Sequence, residues 1–165
     1  MWIERLGASH ALDYRALMLE AYDRHPQAFT SSVRERASMP LSWWESRLTG
    51  KLEVVFGAFV EGKLAGIVGL AFEAREKARH KATLFGMYVS AGVRQQGLGQ
   101  QLVQAVLDEA RTHQGLRLIK LTVTAGNEAA FNLYRRCGFV QYGLEPMAVR
   151  VGEEYLDKIH MWREI

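Results

Sequence analysis

The sequence predicts one domain of mixed α and β structure built around a single twisted sheet. Three observations carry that expectation. Short apolar runs of strand length recur along the chain, segments of helical period alternate with them, and one strand runs through a glycine-rich turn straight into a helix. At 165 residues and 48% hydrophobic, the chain is long enough to bury a core as one domain, 1–165. No repeat, low-complexity tract or linker divides it.

Met1 to Leu6 reads as a short first strand. Ser9 is a candidate N-cap for a helix running to about His25, with Leu12, Ala16, Leu19 and Tyr22 on one face and Pro26 past its end. Ser38, Met39 and Pro40 mark a second helix start; Trp43, Trp44 and Leu48 lie within it and Gly50 closes it. Glu53 to Val60 and Leu64 to Phe72 are apolar strands joined as a hairpin through Glu61, Gly62 and Lys63. Glu73 to Lys81 is a charged, solvated connection, and Lys81 to Val89 is the next strand. The helix after the glycine turn, Gln100 to His113, continues a face made by Leu98, Leu102, Val106 and Ala110. Leu116 to Val123 is a strand. Asn127 opens a helix ending near Cys137, with Gly138 as its C′ glycine. Phe139 to Val151 and Glu154 to Trp162 are the last strands, giving the order βααβββαβαββ.

Composition excludes several classes of function. The net charge of +3 and pI near 9.1 are mild and scattered, which argues against a nucleic-acid partner. One cysteine rules out an intramolecular disulfide and fits a reducing cytoplasm. The five histidines are dispersed, with no zinc-like spacing, so no metal is expected. No apolar run approaches the ~20 residues of a membrane helix. The segment MWIERLG has no signal-peptide pattern.

The most informative stretch is Arg94, Gln95, Gln96, Gly97, Leu98, Gly99, between the apolar run LFGMYV and a helix. A helix N-terminus offers unpaired N–H groups and about half a positive charge, and glycines let an anion approach the backbone. A P-loop is excluded, because Gln100, Gln101 and Leu102 follow where lysine and a hydroxyl are needed. A dinucleotide turn is excluded, because Leu102 replaces the third glycine and Lys120 lies near the place of the acid. The pattern that remains, R/Q-x-x-G-x-G/A, resembles the pyrophosphate turn of the GNAT acyl-CoA-dependent N-acetyltransferases. Asn127 to Phe139 (NEAAFNLYRRCGF) looks like the late helix and strand of that family, and EYLDKIHMW (Glu154 to Trp162) echoes its closing strand. The resemblance spans roughly Leu64 to Ile165.

The resemblance implies a mostly antiparallel twisted sheet, splayed at the cofactor site and flanked by helices, and acetyl-CoA as co-substrate. It assigns the pyrophosphate to the backbone of Arg94, Gln95, Gln96, Gly97, Leu98, Gly99 and Gln100. It assigns the pantetheine arm to the strand at Met87, Tyr88 and Val89 and to Asn127, with an N–H near Met87 as oxyanion donor. It makes Tyr134 the general acid for the departing thiolate. The attacking amine must also lose a proton: with a pKa of ~10.4, only about 0.04% is neutral at pH 7. Many members carry an acid on the strand before the turn; ATLFGMYV has none, and Glu73 is the nearest candidate base in sequence. Asn127 also suits a helix N-cap, Tyr134 a packed aromatic, and Cys137 a small buried residue. The expected acceptor is a small primary amine. Alternatives are a protein N-terminus or lysine, and a non-catalytic acyl-CoA sensor. A homodimer through the closing strand is a further implication of the resemblance.

Overall fold

The computed structural model describes residues 1–94 and 96–165. Among these residues, seven strands form one sheet in the order β1-β2-β3-β4-β5-β7-β6. The strands are β1 (Trp2–Arg5), β2 (Glu53–Val60), β3 (Lys63–Phe72), β4 (Lys81–Val89), β5 (Leu118–Thr124), β6 (Val140–Val151) and β7 (Glu154–Glu164). The helices are α1 (Ala11–Arg24), α2 (Val33–Ala37), α3 (Leu41–Thr49), α4 (Leu98–Arg111) and α5 (Glu128–Arg136). Every strand pairing is antiparallel except β4 with β5.

The sheet has a core on each face, which is why β2 and β3 are apolar throughout rather than alternating. Ala58, Val68, Leu70, Ala82 and Leu84 pack beneath α4. Val55, Phe59, Ile67 and Tyr88 pack beneath α1 and α3. The β2–β3 hairpin closes through two residues, not three: Glu61 and Gly62 both have positive φ, at 51° and 76°, which matches the twist of paired strands. In α4 the expected face is buried and is widened by Val103 and Leu107.

The first 50 residues depart furthest from expectation. A 3-10 turn, Ala8–His10, precedes α1; the Gly7 N–H donates to His10 Nδ1 at 3.0 Å, and Ser9 caps nothing. The buried face of α1 is Ala11, Tyr14, Leu17, Met18, Ala21 and Tyr22, while Leu12 is 66% exposed. The inward face is set by aromatic partners: Tyr14 meets Trp44 of α3 edge-on, with ring centroids 5.7 Å apart. Ser38 ends the unexpected helix α2, donating to the Glu35 carbonyl at 2.7 Å, and α3 begins after Pro40.

Candidate active site: two clefts that meet at a splayed strand

Strands β4 and β5 pair at only three positions, Lys81↔Leu118, Ala82↔Ile119 and Thr83↔Lys120. Beyond Thr83 they diverge, so among the described residues no strand covers that side of β4 from Leu84 to Val89. On its other side β4 carries a bulge. Gly69 pairs with Phe85 and Ile67 with Tyr88, so two steps along β3 are answered by three along β4. The additional residue is accommodated at Gly86, whose φ is +61°. A lone glycine inside an apolar strand is the signal for this feature, which reading the sequence for the turn alone misses.

A cleft of about 540 Å³ runs along this opening. It is lined by Met87, Tyr88 and Val89 of β4, by Arg94, Gly97, Leu98, Gly99 and Gln100 at the start of α4, and by Asn127 of α5. These candidate cofactor residues are therefore brought together, and His25, Phe29 and Arg136 join them. Gln96 is exposed and does not line the cleft. Gln95 lies outside the described residues.

Within this cleft the residues contribute differently. Gly97 is the N-cap of α4 with φ +75° and offers no side-chain cap to the first N–H groups of the helix. Leu98 is only 2% exposed and packs in the core, so its contribution to a ligand is its backbone. At Gly99 a Cβ would lie 3.0 Å from Leu133 Cδ2, so this glycine also lets α4 approach α5. The side chain of Tyr88 points to the α1 core and donates to Glu20 Oε2 at 2.8 Å. Arg94 Nε donates to the Val89 carbonyl at 3.0 Å, and its Nη2 lies 2.8 Å from His25 Nε2. Burial, reinforced by the Arg94 cation, holds the His25 imidazole below its usual pKa.

A second cleft, of about 290 Å³, lies on the far side of Met87. It shares Ala28, Phe29, Met87, Asn127 and Ala130 with the first, so the two open into each other. Asn127 caps α5, its Oδ1 accepting from the Ala130 N–H at 3.3 Å, which leaves the NH₂ outside the cap. Tyr134 lines the second cleft and is 5% exposed. Burial, and then the neighbouring Cys137, push its phenol pKa up, and its ring meets Phe139 edge-on at 6.0 Å. The titratable groups lining this cleft are Tyr22, Arg36, Arg47, Tyr134 and Lys158; among the described residues it has no Asp, Glu or His.

Glu73 is not brought to either cleft, a correction to its place as candidate base. It follows β3, whose last residue Phe72 pairs with Ala82 near the start of β4. Met87 is five residues further along, and a strand rises about 3.3 Å per residue. Glu73 instead lies 3.5 Å from Arg75 in the solvated connection.

A sheet splayed at a bulged strand, with a helix N-terminus at the mouth of the opening, is an arrangement suited to an extended, phosphate-bearing ligand. The model of the acetyltransferase (GNAT) family matches residues 16–139, and the chain belongs to that family as an acetyltransferase enzyme. It is 27% identical to an L-methionine sulfoximine/L-methionine sulfone acetyltransferase of Pseudomonas paraeruginosa, over 73% of this chain and 69% of that one. It is 36% identical to the [ribosomal protein bS18]-alanine N-acetyltransferase of Escherichia coli, over 47% of this chain and 49% of that one. Its fold matches a putative acetyltransferase from Salmonella typhimurium solved with its cofactor acetyl-CoA, with a TM-score of 0.82, 21% identity and coverage of 99% and 93%.

Proposed function

We propose that this acetyltransferase moves the acetyl group of acetyl-CoA to the primary amine of a small molecule, by direct attack within a ternary complex. The observation that carries the reading is the junction of two clefts at Met87, Asn127 and Ala130, with Tyr134 beside it. Acetyl-CoA supplies an acetyl group activated as a thioester. The N–H groups at the start of α4 hold its pyrophosphate, with Arg94 and Arg136 as the nearest cations lining that cleft. The uncovered backbone of Met87 to Val89 takes the amides of the pantetheine arm, as an added strand would. The Met87 N–H and the Asn127 NH₂ are the donors at the junction, suited to a developing oxyanion and to the arm. Tyr134 gives its proton to the departing thiolate, and the proton that the nitrogen sheds on becoming an amide restores the phenol.

Its raised pKa keeps Tyr134 protonated at neutral pH but makes it a weaker acid. A thiolate formed in the same desolvated place is also destabilised, so the mismatch narrows. For the amine, no carboxylate or imidazole lines the second cleft among the described residues; its charged walls are Arg36, Arg47 and Lys158. Surrounding cations disfavour an ammonium and favour the neutral, attacking amine. That supports delivery of the neutral amine without a dedicated protein base, and Glu73 is not retained in the mechanism.

The small volume of the acceptor cleft and the sulfoximine-acetylating relative support a small-molecule acceptor over a protein chain. The resemblance also implies a homodimer. The large apolar side chains exposed at the end of the sheet, Val140, Tyr142, Leu144, Met147 and Tyr155, support that proposal, and sedimentation at tens of micromolar tests it. Free-thiol release from acetyl-CoA across a panel of primary amines tests the activity. Tight acetyl-CoA binding with no release for any amine would replace it with the binding-only reading.

A further inference from the structure

The wall of the acceptor cleft facing away from α5 draws its positive charge from two helices, α2 and α3. Arg36 of α2 and Arg47 of α3 both place their guanidinium groups on the ring of Trp43, 4.5 and 4.9 Å from its centroid. Arg47 also lies 5.0 Å from the centroid of Phe85, and it has a counter-ion, Glu53, at 3.7 Å. Arg36 has none: no ion pair of the described residues includes it. Its Nη2 donates to Ser31 Oγ at 2.8 Å, and its charge opposes the rise that burial gives the Tyr22 phenol pKa. Its Nε is buried with no hydrogen-bond partner. Lys158, across the cleft on β7, is hydrogen-bonded to Thr30 Oγ1; its nearest carboxylate is Glu145, its pairing partner on β6, which lies outside the cleft lining.

A buried guanidinium N–H without an acceptor is costly, and a partly buried cation without an anion more so. Stacking on Trp43 fixes the orientation of Arg36, so the cost of ordering it is met before a ligand arrives. A planar, oriented guanidinium with donors to spare is the group that recognises a carboxylate. A ligand in this cleft must present its amine toward Met87 and Tyr134, since the cofactor cleft opens there.

We propose that the acceptor is an α-amino acid-like amine whose carboxylate is held by Arg36, with Arg47 and Lys158 completing the positive surface. This deepens the small-molecule reading and rests on it. The carboxylate pairs with the Arg36 charge and neutralises part of the field, while the remaining cations still disfavour the ammonium form of the attacking nitrogen. A peptide N-terminus, which has an amide where the amino acid has its carboxylate, leaves Arg36 unpaired. A decarboxylated amine does the same.

Calorimetric titration into protein saturated with CoA compares L-methionine sulfone and the common L-amino acids with their primary amides and their decarboxylated amines. At least one acid is expected to bind about tenfold or more tighter than both of its analogues. Arg36→Gln should abolish that margin while leaving acetyl-CoA affinity unchanged, and Arg36→Lys should restore only part of it. The comparison between ligands on the unaltered chain stands even where a variant is poorly folded. An amide binding as tightly as its acid would overturn the proposal in favour of a peptide N-terminus. An amine doing so would overturn it in favour of a simple amine, and failure of every acid to bind would overturn it outright. Thiol release with the same ligands separates this inference from the activity. Carboxylate-dependent binding without release refutes acetyl transfer alone, and equal turnover of acids and decarboxylated amines refutes the carboxylate alone.

Discussion

The ring of Phe85 occupies the space a side chain at Gly69 would need: a Cβ there would overlap ring atoms Cε1, Cε2 and Cζ. The two residues are paired across β3 and β4, one step before the bulge at Gly86. Phe85 lines the acceptor cleft and carries the Arg47 guanidinium on its face. A glycine on the inner strand thus sets the shape of the acceptor wall without touching a ligand.

Gly69→Ala should therefore push Phe85 toward the cleft and loosen Arg47. Overpacking costs typically about 1–3 kcal/mol, and half-buried Phe85 has room to swing, so the low end is expected. The acceptor KM should rise at least about threefold, while the KM for acetyl-CoA stays the same. Steady-state kinetics with each substrate varied in turn checks this; equal changes in both would show a general loosening of the sheet.

The two glycines of the turn should fail differently. Gly97 has φ +75° and nothing near its absent Cβ, so Gly97→Val acts through backbone strain of about 1–2 kcal/mol at the N-terminus of α4. Acetyl-CoA affinity should fall about tenfold or more by calorimetry, because the N–H groups that hold the anion are re-aimed. Gly99→Val instead drives into Leu133, adjacent in sequence to Tyr134, and should displace α5. Its larger effect is expected on kcat. The reverse pattern would place the phosphates against Gly99.

Buried tyrosines make the fold sensitive to alkali. Burial pushes the Tyr14 phenol up to about 12, with the Arg47 charge opposing, and burial raises Tyr134 as well. In the unfolded chain both ionise near pH ~10. Between pH 10 and 12 the unfolded state therefore holds fewer protons than the native state, and stability falls as pH rises. The slope approaches about 1.4 kcal/mol per pH unit for each tyrosine. The contribution is fully present below pH ~10. Denaturant midpoints from pH 8 to 11.5 should be flat and then drop; a flat curve throughout would mean the phenols are hydrated in the native state.

What the sequence revealed was what one element or one turn encodes. The strand Lys81–Val89 and the amphipathic helix Leu98–Arg111 have local signals and form as expected, apart from the bulge at Gly86. Asn127 as a cap and Gly138, with φ +90°, as a C′ glycine are local too. The acceptor wall is not. Arg36 and Arg47 belong to separate helices joined through Trp43, and Lys158 reaches Thr30 from 128 residues away. No spacing rule links such residues. The inward face of α1 differs from the expected one because Tyr14 anchors it against Trp44, while Tyr22 is buried as its spacing predicts. Glu73 is near the turn strand in sequence, but the β3–β4 pairing puts it at the opposite end of β4 from Met87.

Tyr134→Phe isolates the acid step. The substitution keeps the ring, its edge-on contact with Phe139 at 6.0 Å and its burial, and removes the hydroxyl alone. Stability should change little, and it should not fall as for a core truncation, because no methylene is lost. If Tyr134 delivers the proton to the thiolate, kcat should drop about 10²-fold or more, the lower end for a positioned general acid. Acetyl-CoA affinity should be nearly unchanged, because the hydroxyl meets sulfur more strongly as charge develops there than in the ground state. The pH dependence carries a second, independent signature. The raised phenol pKa predicts that the unaltered enzyme keeps its acid form above pH ~10, so any loss of kcat below that pH comes from another group. An aryl thioester in place of acetyl-CoA offers a leaving thiolate that needs less protonation, and the variant's deficit should shrink with it. A Phe variant at wild-type kcat, measured where chemistry limits turnover, would hand the proton to water and leave Tyr134 as packing for α5.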